Sequence, residues 1–318
     1  MFPSSGGLIA YVDVGEGEPV VLLHGFPLSS FTWRDVVPAL ARRFRVIAPD
    51  LLGHGSSDKP ANARLDIAAQ ATYVRELLTE LGVGRYAVVG HASGGGIAQL
   101  LALDDADVGA LVLLDSIAFD AWPVASTREL QAIDPDRFPP DLVEAGLRTA
   151  LLTGVADPAS VDDALLDGYL EPWLRPGGSA AFVRAAQSTD GLGLTGHEDA
   201  FAAWELPVLL LWGEEDPFLP TELAERLNDA MPSSTLGLLP GVGHYIVDEA
   251  TETVTTTISE WLRVRYLELP HGHDDPNAGL VRLQLERRPP WADLAPYEEP
   301  DDRPVAYDPD DQEVGRNP

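Results

Sequence analysis

Apolar residues in the first third of the chain fall in short dense runs separated by helix-length stretches. Leu8–Val14, Pro19–His24, Phe44–Pro49, Tyr86–Gly90 and Ala110–Asp115 read as strands. Three of these carry VVLL, YAVV and ALVLL without polar alternation. Such continuity suits strands buried on both faces of a parallel sheet. Between them, Ser30–Ala41, Asp66–Leu81 and Gly94–Leu103 read as helices, with Asp66 as an N-cap and Gly82 as a stop. This alternation predicts a doubly wound, mostly parallel α/β sheet.

From about Ile117 to Trp204 the pattern changes. Asp141–Leu152 and Ser160–Leu170 are helical runs, punctuated by PP (139–140) and PGG (176–178), and no strand is evident. An all-helical insertion is expected there. Alternation resumes with a strand at Pro207–Gly213, a helix at Pro220–Ala230, a strand at Ser234–Leu239 and a helix at Glu249–Arg265. The expected division is core over 1–116, helical cap over 117–204, core again over 205–266, and an acidic, Pro-rich, largely irregular tail over 267–318. Within the tail, LVRLQLE (280–286) suits one edge strand, and Trp291 and Tyr297 could pack on the body. His271, His273, Asp274 and Asp275 have the chemistry of metal ligands, but nothing fixes their geometry, so no metal site is assigned.

Composition narrows the function. The 318 residues are 45% hydrophobic, enough for one large α/β domain or two smaller ones. No run approaches the roughly 18 apolar residues that would cross a bilayer. The start, MFPSSGGLIAYVDVG, lacks the basic and apolar regions of a secretory signal. Absence of cysteine removes disulfides, thiolate metal sites and a cysteine nucleophile, and a cytoplasmic location is expected. Acidic residues number 51 against 21 basic ones, for a net charge of −30, and Lys59 is the only lysine. Such a surface repels phosphate backbones and anionic membranes, so neither nucleic acid nor membrane is an expected partner. Two readings of the charge stay open: solubility in an arginine-favouring genome, or adaptation to a salt-rich cytoplasm that screens self-repulsion.

Candidate chemistry gathers at VVGHASGGGIAQ (88–99), a strand running into a glycine-rich helix start. A sharp strand-to-helix turn that presents a nucleophile needs small residues two positions to either side, because the backbones come close. With position 92 at the apex, the flanks are Gly90 and Gly94. With Ser93 at the apex they would be His91 and Gly95, and His91 would crowd the turn. The first register is preferred on steric grounds, and the apex is then Ala92.

Several motifs taken together resemble the α/β-hydrolase fold, in its cap-bearing branch of epoxide hydrolases, haloalkane dehalogenases and many esterases. LLHGFP (22–27) resembles the oxyanion loop, and PDLLGHGSSDKP (49–60) the D-x-x-G-x-G-x-S-x-x-P stretch. LLLWGEEDPFLP (209–220) and LPGVGHYIVDE (239–249) resemble the segments bearing the catalytic acid and histidine. The match covers roughly residues 8–265. The resemblance implies Ala92 at the nucleophile position, Asp216 as acid, His244 as base, and the backbone N–H groups of Phe26 and Ser93 as the oxyanion hole. Asp115, at the end of the preceding strand, is a second candidate acid. Trp122, Phe119, Tyr169 and Trp173 are candidate walls of an apolar substrate pocket, Tyr169 also being placed like the cap tyrosines of epoxide hydrolases. Packing competes as their role. No metal or organic cofactor is implied.

Ala92 departs from the family pattern, since a methyl group cannot form a covalent ester intermediate. The chain is a nucleophile-to-alanine variant, or runs nucleophile-free chemistry with His244 as general base, or is a non-catalytic pseudoenzyme that binds a ligand. Ser93 as a displaced nucleophile is a fourth alternative. In dehalogenases the residue after the nucleophile is typically a halide-gripping Trp. Here it is Ser93, which counts against dehalogenation. The expected partner is a small apolar substrate, such as an ester or epoxide.

Overall fold

A computed structural model describes residues 1–121, 125–188, 193–268 and 279–282. The chain opens with a small antiparallel pair, β1 (Phe2–Pro3) and β2 (Leu8–Ile9). The main sheet then begins with β3 (Tyr11–Val14), β4 (Pro19–Leu23), the short helix α1 (Val36–Leu40) and β5 (Arg45–Pro49). Next come α2 (Ile67–Glu80), β6 (Tyr86–His91), α3 (Ser93–Asp104) and β7 (Val108–Leu114). Among the described residues five α-helices follow: α4 (Ala125–Leu130), α5 (Pro140–Gly154), α6 (Asp163–Leu174), α7 (Gly178–Gln187) and α8 (Glu198–Ala202). The core resumes with β8 (Val208–Gly213), α9 (Thr221–Ala230), β9 (Ser234–Leu239), α10 (Ile246–Glu249) and α11 (Thr251–Leu262), and β10 (Gly279–Arg282) comes last.

The main sheet has the order β10-β9-β8-β7-β6-β4-β5-β3. Among the described residues, only β3 runs antiparallel to its neighbour in this sheet. Along β4, Val20 and Leu22 face one helical layer while Val21 and Leu23 face the other, and all four are buried. Both faces are therefore apolar, which is why these runs show no alternation. One layer holds α2, α3 and α9 through Leu77, Leu101 and Leu227; the other holds α1 and α11 through Leu40 and Ile258. Each such leucine or isoleucine contributes about 1.5–3 kcal/mol on burial. The helical insertion carries its own core, in which Leu147, Leu166, Tyr169 and Trp173 pack with Leu28 and Tyr245 of the sheet body.

Local signals explain most boundaries. Asp66 accepts the Ala69 N–H at 3.0 Å and caps α2, and Gly82 at φ +64 ends it. Ser30–Ala41 is not one helix. Ser30–Trp33 forms a 3₁₀ turn capped by Ser29, and α1 starts afresh at Val36. Pro38 has no N–H to give to the Arg34 carbonyl one turn back, so a continuous helix is not supported. Leu8–Val14 likewise divides at Ala10, whose N–H goes to Ser57 Oγ. The PGG stretch starts a helix: Gly177, at φ +79, leads into α7. The expected edge strand is present over Gly279–Arg282, parallel to β9. The rest of the tail, with His271, His273, Asp274, Asp275, Trp291 and Tyr297, lies outside the described residues, as does Trp122.

Candidate active site

β4 and β6 are neighbours, yet the chain leaves them towards opposite edges of the sheet. Open α/β sheets bind ligands at such a switch point, beyond the carboxyl ends of the strands. Beyond β6 stands Ala92, at φ 50° and ψ −117°. This is a sparsely populated conformation for a residue with a side chain. A Cβ at Gly90 would lie 2.4 Å from the Gly94 carbonyl oxygen, and one at Gly94 would lie 2.3 Å from that of Leu23. The tight turn thus centres on Ala92, while Ser93 is the first residue of α3, whose N-terminal N–H groups have no carbonyl one turn back.

Beyond β4, His24 donates Nδ1–H to Gly25 O and accepts the Leu51 N–H on Nε2, tying the oxyanion-like loop to the segment after β5. Burial lowers the pKa of His24, so it stays neutral there. The Phe26 N–H is not open: it donates to Ser93 Oγ at 2.9 Å. Of the two N–H groups expected to form the oxyanion hole, one is thus occupied by the side chain of the residue that carries the other.

Beyond β8 and β9 stand Asp216 and His244. His244 donates Nδ1–H to Asp216 Oδ2 at 2.8 Å. Asp216 Oδ1 accepts the Phe218 and Leu219 N–H groups at 2.7 and 3.0 Å. A neutral imidazole held this way keeps its basic lone pair on Nε2. His91 joins the elbow to the histidine loop by donating Nε2–H to His244 O at 2.8 Å. Complete burial pushes the His91 pKa down to about 3 and keeps the ring uncharged. Phe218 and Tyr245 pack against the His244 ring.

The insertion closes over this end of the sheet. Trp173 donates Nε1–H to Pro27 O at 2.9 Å, and its ring meets those of Phe26, His54 and Phe182. Tyr169 does not stand as a free pocket tyrosine. Its hydroxyl is committed to Asp248 at 2.7 Å, and Asp248 is also gripped by Arg34 at 2.9 Å. The ring packs edge-on against Phe31, so Tyr169 fastens insertion to core. Phe119 is buried against Phe201 at φ 51°. Glu249 was not singled out from the sequence. Its carboxylate accepts N–H groups from Gly243 before the histidine and from Ala156 and Asp157 of the insertion. No periodicity or spacing marks such a backbone-bridging glutamate.

The family model described as alpha/beta hydrolase fold matches residues 18–251. Haloalkane dehalogenase 2 of Mycobacterium tuberculosis is 31% identical over 268 residues, covering 81% of this chain and 93% of its own. A soluble epoxide hydrolase of Corynebacterium sp. is 46% identical over 126 residues, 38% of this chain and 44% of its own. Among solved structures, an alpha/beta hydrolase fold protein from Burkholderia ambifaria superposes with a TM-score of 0.75 at 32% identity, covering 81% of this chain and 95% of its own. With a strand order, a strained turn and an acid–histidine pair of this kind, and with named hydrolases among its relatives, the chain belongs to the alpha/beta hydrolase family.

Proposed function

We propose that the protein acts on a small apolar substrate, an ester or epoxide, held between the helical insertion and the carboxyl edge of the sheet, without a covalent step at position 92. The observation that carries this reading is a methyl group at position 92 together with an intact His244–Asp216 pair, whose loop is joined to the elbow by His91. A methyl offers no lone pair for attack. His244 keeps the elements of a general base: an Nδ1–H fixed by a carboxylate and a lone pair on Nε2. Water, or an acidic group of the substrate, gives its proton to that lone pair, and Asp216 stabilises the imidazolium that results. Charge developing on the substrate oxygen meets the N-terminus of α3, provided the substrate displaces Ser93 Oγ from the Phe26 N–H. Dehalogenation fits less well than in the mycobacterial relative's name, because Ser93 stands where a halide-gripping Trp would be needed.

A second reading, ligand binding without turnover, is favoured by that same Ser93–Phe26 hydrogen bond, which fills one expected oxyanion donor. Ala92→Ser and Ala92→Asp separate the two. A working pocket gains ester hydrolysis from the first or epoxide opening from the second. No gain in either variant, with both folded, supports the binding protein.

A further inference from the structure

Two buried carboxyl groups meet behind His244, and they are supplied with donors unequally. Asp216 accepts three, from the Phe218 and Leu219 N–H groups and the imidazole Nδ1–H, on a side chain with 0% exposure. That is the environment of an ionised carboxylate. Asp115 follows β7 at φ 38°, and it too is 0% exposed. Among the described residues it receives one donor only, the Gly213 N–H on Oδ1 at 2.9 Å. Its Oδ2 is buried without a hydrogen-bond donor among the described residues, and the Asp115 carboxyl lies within side-chain hydrogen-bonding range of Asp216. An ionised Asp115 would set a buried carboxylate without a donor on Oδ2 beside a second carboxylate. Buried charges of like sign in such a place do not both ionise. A proton on Oδ2 turns the orphan acceptor into a donor and removes the repulsion at once.

We propose that Asp115 is a neutral carboxylic acid at neutral pH and donates its Oδ2–H to Asp216, making an Asp115–Asp216–His244 chain in which Asp115 is a positioning residue. Burial and then the Asp216 charge hold the proton in place; the Gly213 N–H opposes them and the Glu249 carboxylate adds to them. The other titratable rings at this junction contribute no countercharge: burial keeps His91 neutral, and burial with the Asp216 charge raises the pKa of the Tyr245 phenol. The proton matters to His244. The two carboxyls present the imidazole with one negative charge instead of two. A general base must give back the proton it takes, and the smaller charge beside the imidazole serves that step. This last consequence rests on the proposed function, whereas the protonation itself is read on the protein without substrate.

The test is the His244 imidazole titration, followed by ¹H–¹⁵N NMR in wild type, D115N and D115A. Asparagine keeps an acceptor for the Gly213 N–H and a donor toward Asp216. D115N is expected to leave the His244 midpoint unchanged. If Asp115 were ionised, D115N would delete a nearby negative charge and drop the midpoint by about 1–3 units, and that drop overturns the proposal. D115A removes the donor, sharpens the charge on Asp216 and is expected to raise the midpoint. No rise in D115A overturns the chain. Should D115A fail to fold, infrared spectroscopy of wild type decides: a protonated carboxyl band at neutral pH, lost in D115N, supports the proposal, and its absence from wild type overturns it. An enzyme without turnover leaves these readouts intact, so failure of the functional reading and failure of this one are distinguishable.

Discussion

The backbone N–H of His244 donates to the carbonyl of Gly154, the last residue of α5, at 2.6 Å. The loop that carries the imidazole therefore hangs from the end of an insertion helix. A Cβ at Gly154 would lie 2.4 Å from the Tyr245 ring and 2.8 Å from that of Phe218, and both rings pack on His244. Gly154→Ala is expected to cost about 1–3 kcal/mol and to lower His244-dependent turnover with it. Thermal unfolding checks the first, and an unshifted Tm contradicts it.

Tyr169→Phe removes a hydroxyl that donates to the buried Asp248 carboxylate. Burial raises the pKa of Asp248, and the Arg34 guanidinium opposes that rise. A buried acceptor stripped of one donor costs about 1–3 kcal/mol. Denaturant unfolding of Y169F should show that loss. An unchanged midpoint would mean the seam between insertion and core does not depend on this bond.

Acid should weaken the fold through its histidines. Burial pushes His54 and His91 down to about 3, from about 6.5 in the unfolded chain. Between those values the unfolded state binds more protons. The stability these groups contribute is complete above about pH 6.5 and is lost as pH falls toward 3. At pH 5 each costs roughly 2 kcal/mol. His54→Gln should flatten the acid limb of the stability curve, and a curve parallel to wild type contradicts the assignment.

Asp115 works in the opposite direction. Burial holds its carboxyl well above the ordinary range. The folded state keeps a proton that the unfolded chain loses near pH 3.9. The stability from this group is complete below that pH and declines as pH rises toward the folded value. D115N has no such proton to lose, so its Tm should gain on wild type as pH rises. A difference that stays flat across pH sinks this expectation.

The strands were legible because burial on both faces leaves a continuous apolar run, as in VVLL of β4. α2 was legible because Asp66 and Gly82 mark its ends. The break between the first turn after β4 and α1 is marked only by Pro38, which has no N–H for the Arg34 carbonyl, while the apolar spacing runs on through it. The PGG stretch reads as punctuation, yet Gly177 opens a helix, since positive φ serves a helix entry as well as a stop. At the site, the register of the elbow could be read from Gly90 and Gly94 because crowding there is local. The roles of Glu249, Asp248 and Asp115 could not. Each depends on partners brought in from distant segments: Ala156, Tyr169 and Asp216.

Turnover of a small aryl ester and a small aryl epoxide by wild type and His244→Ala tests the central claim most directly. The account predicts linear, burst-free turnover in wild type and a fall of about 10²–10⁴-fold in H244A. Equal rates in the two proteins, or a burst of one equivalent with a covalent adduct on wild type, would contradict it.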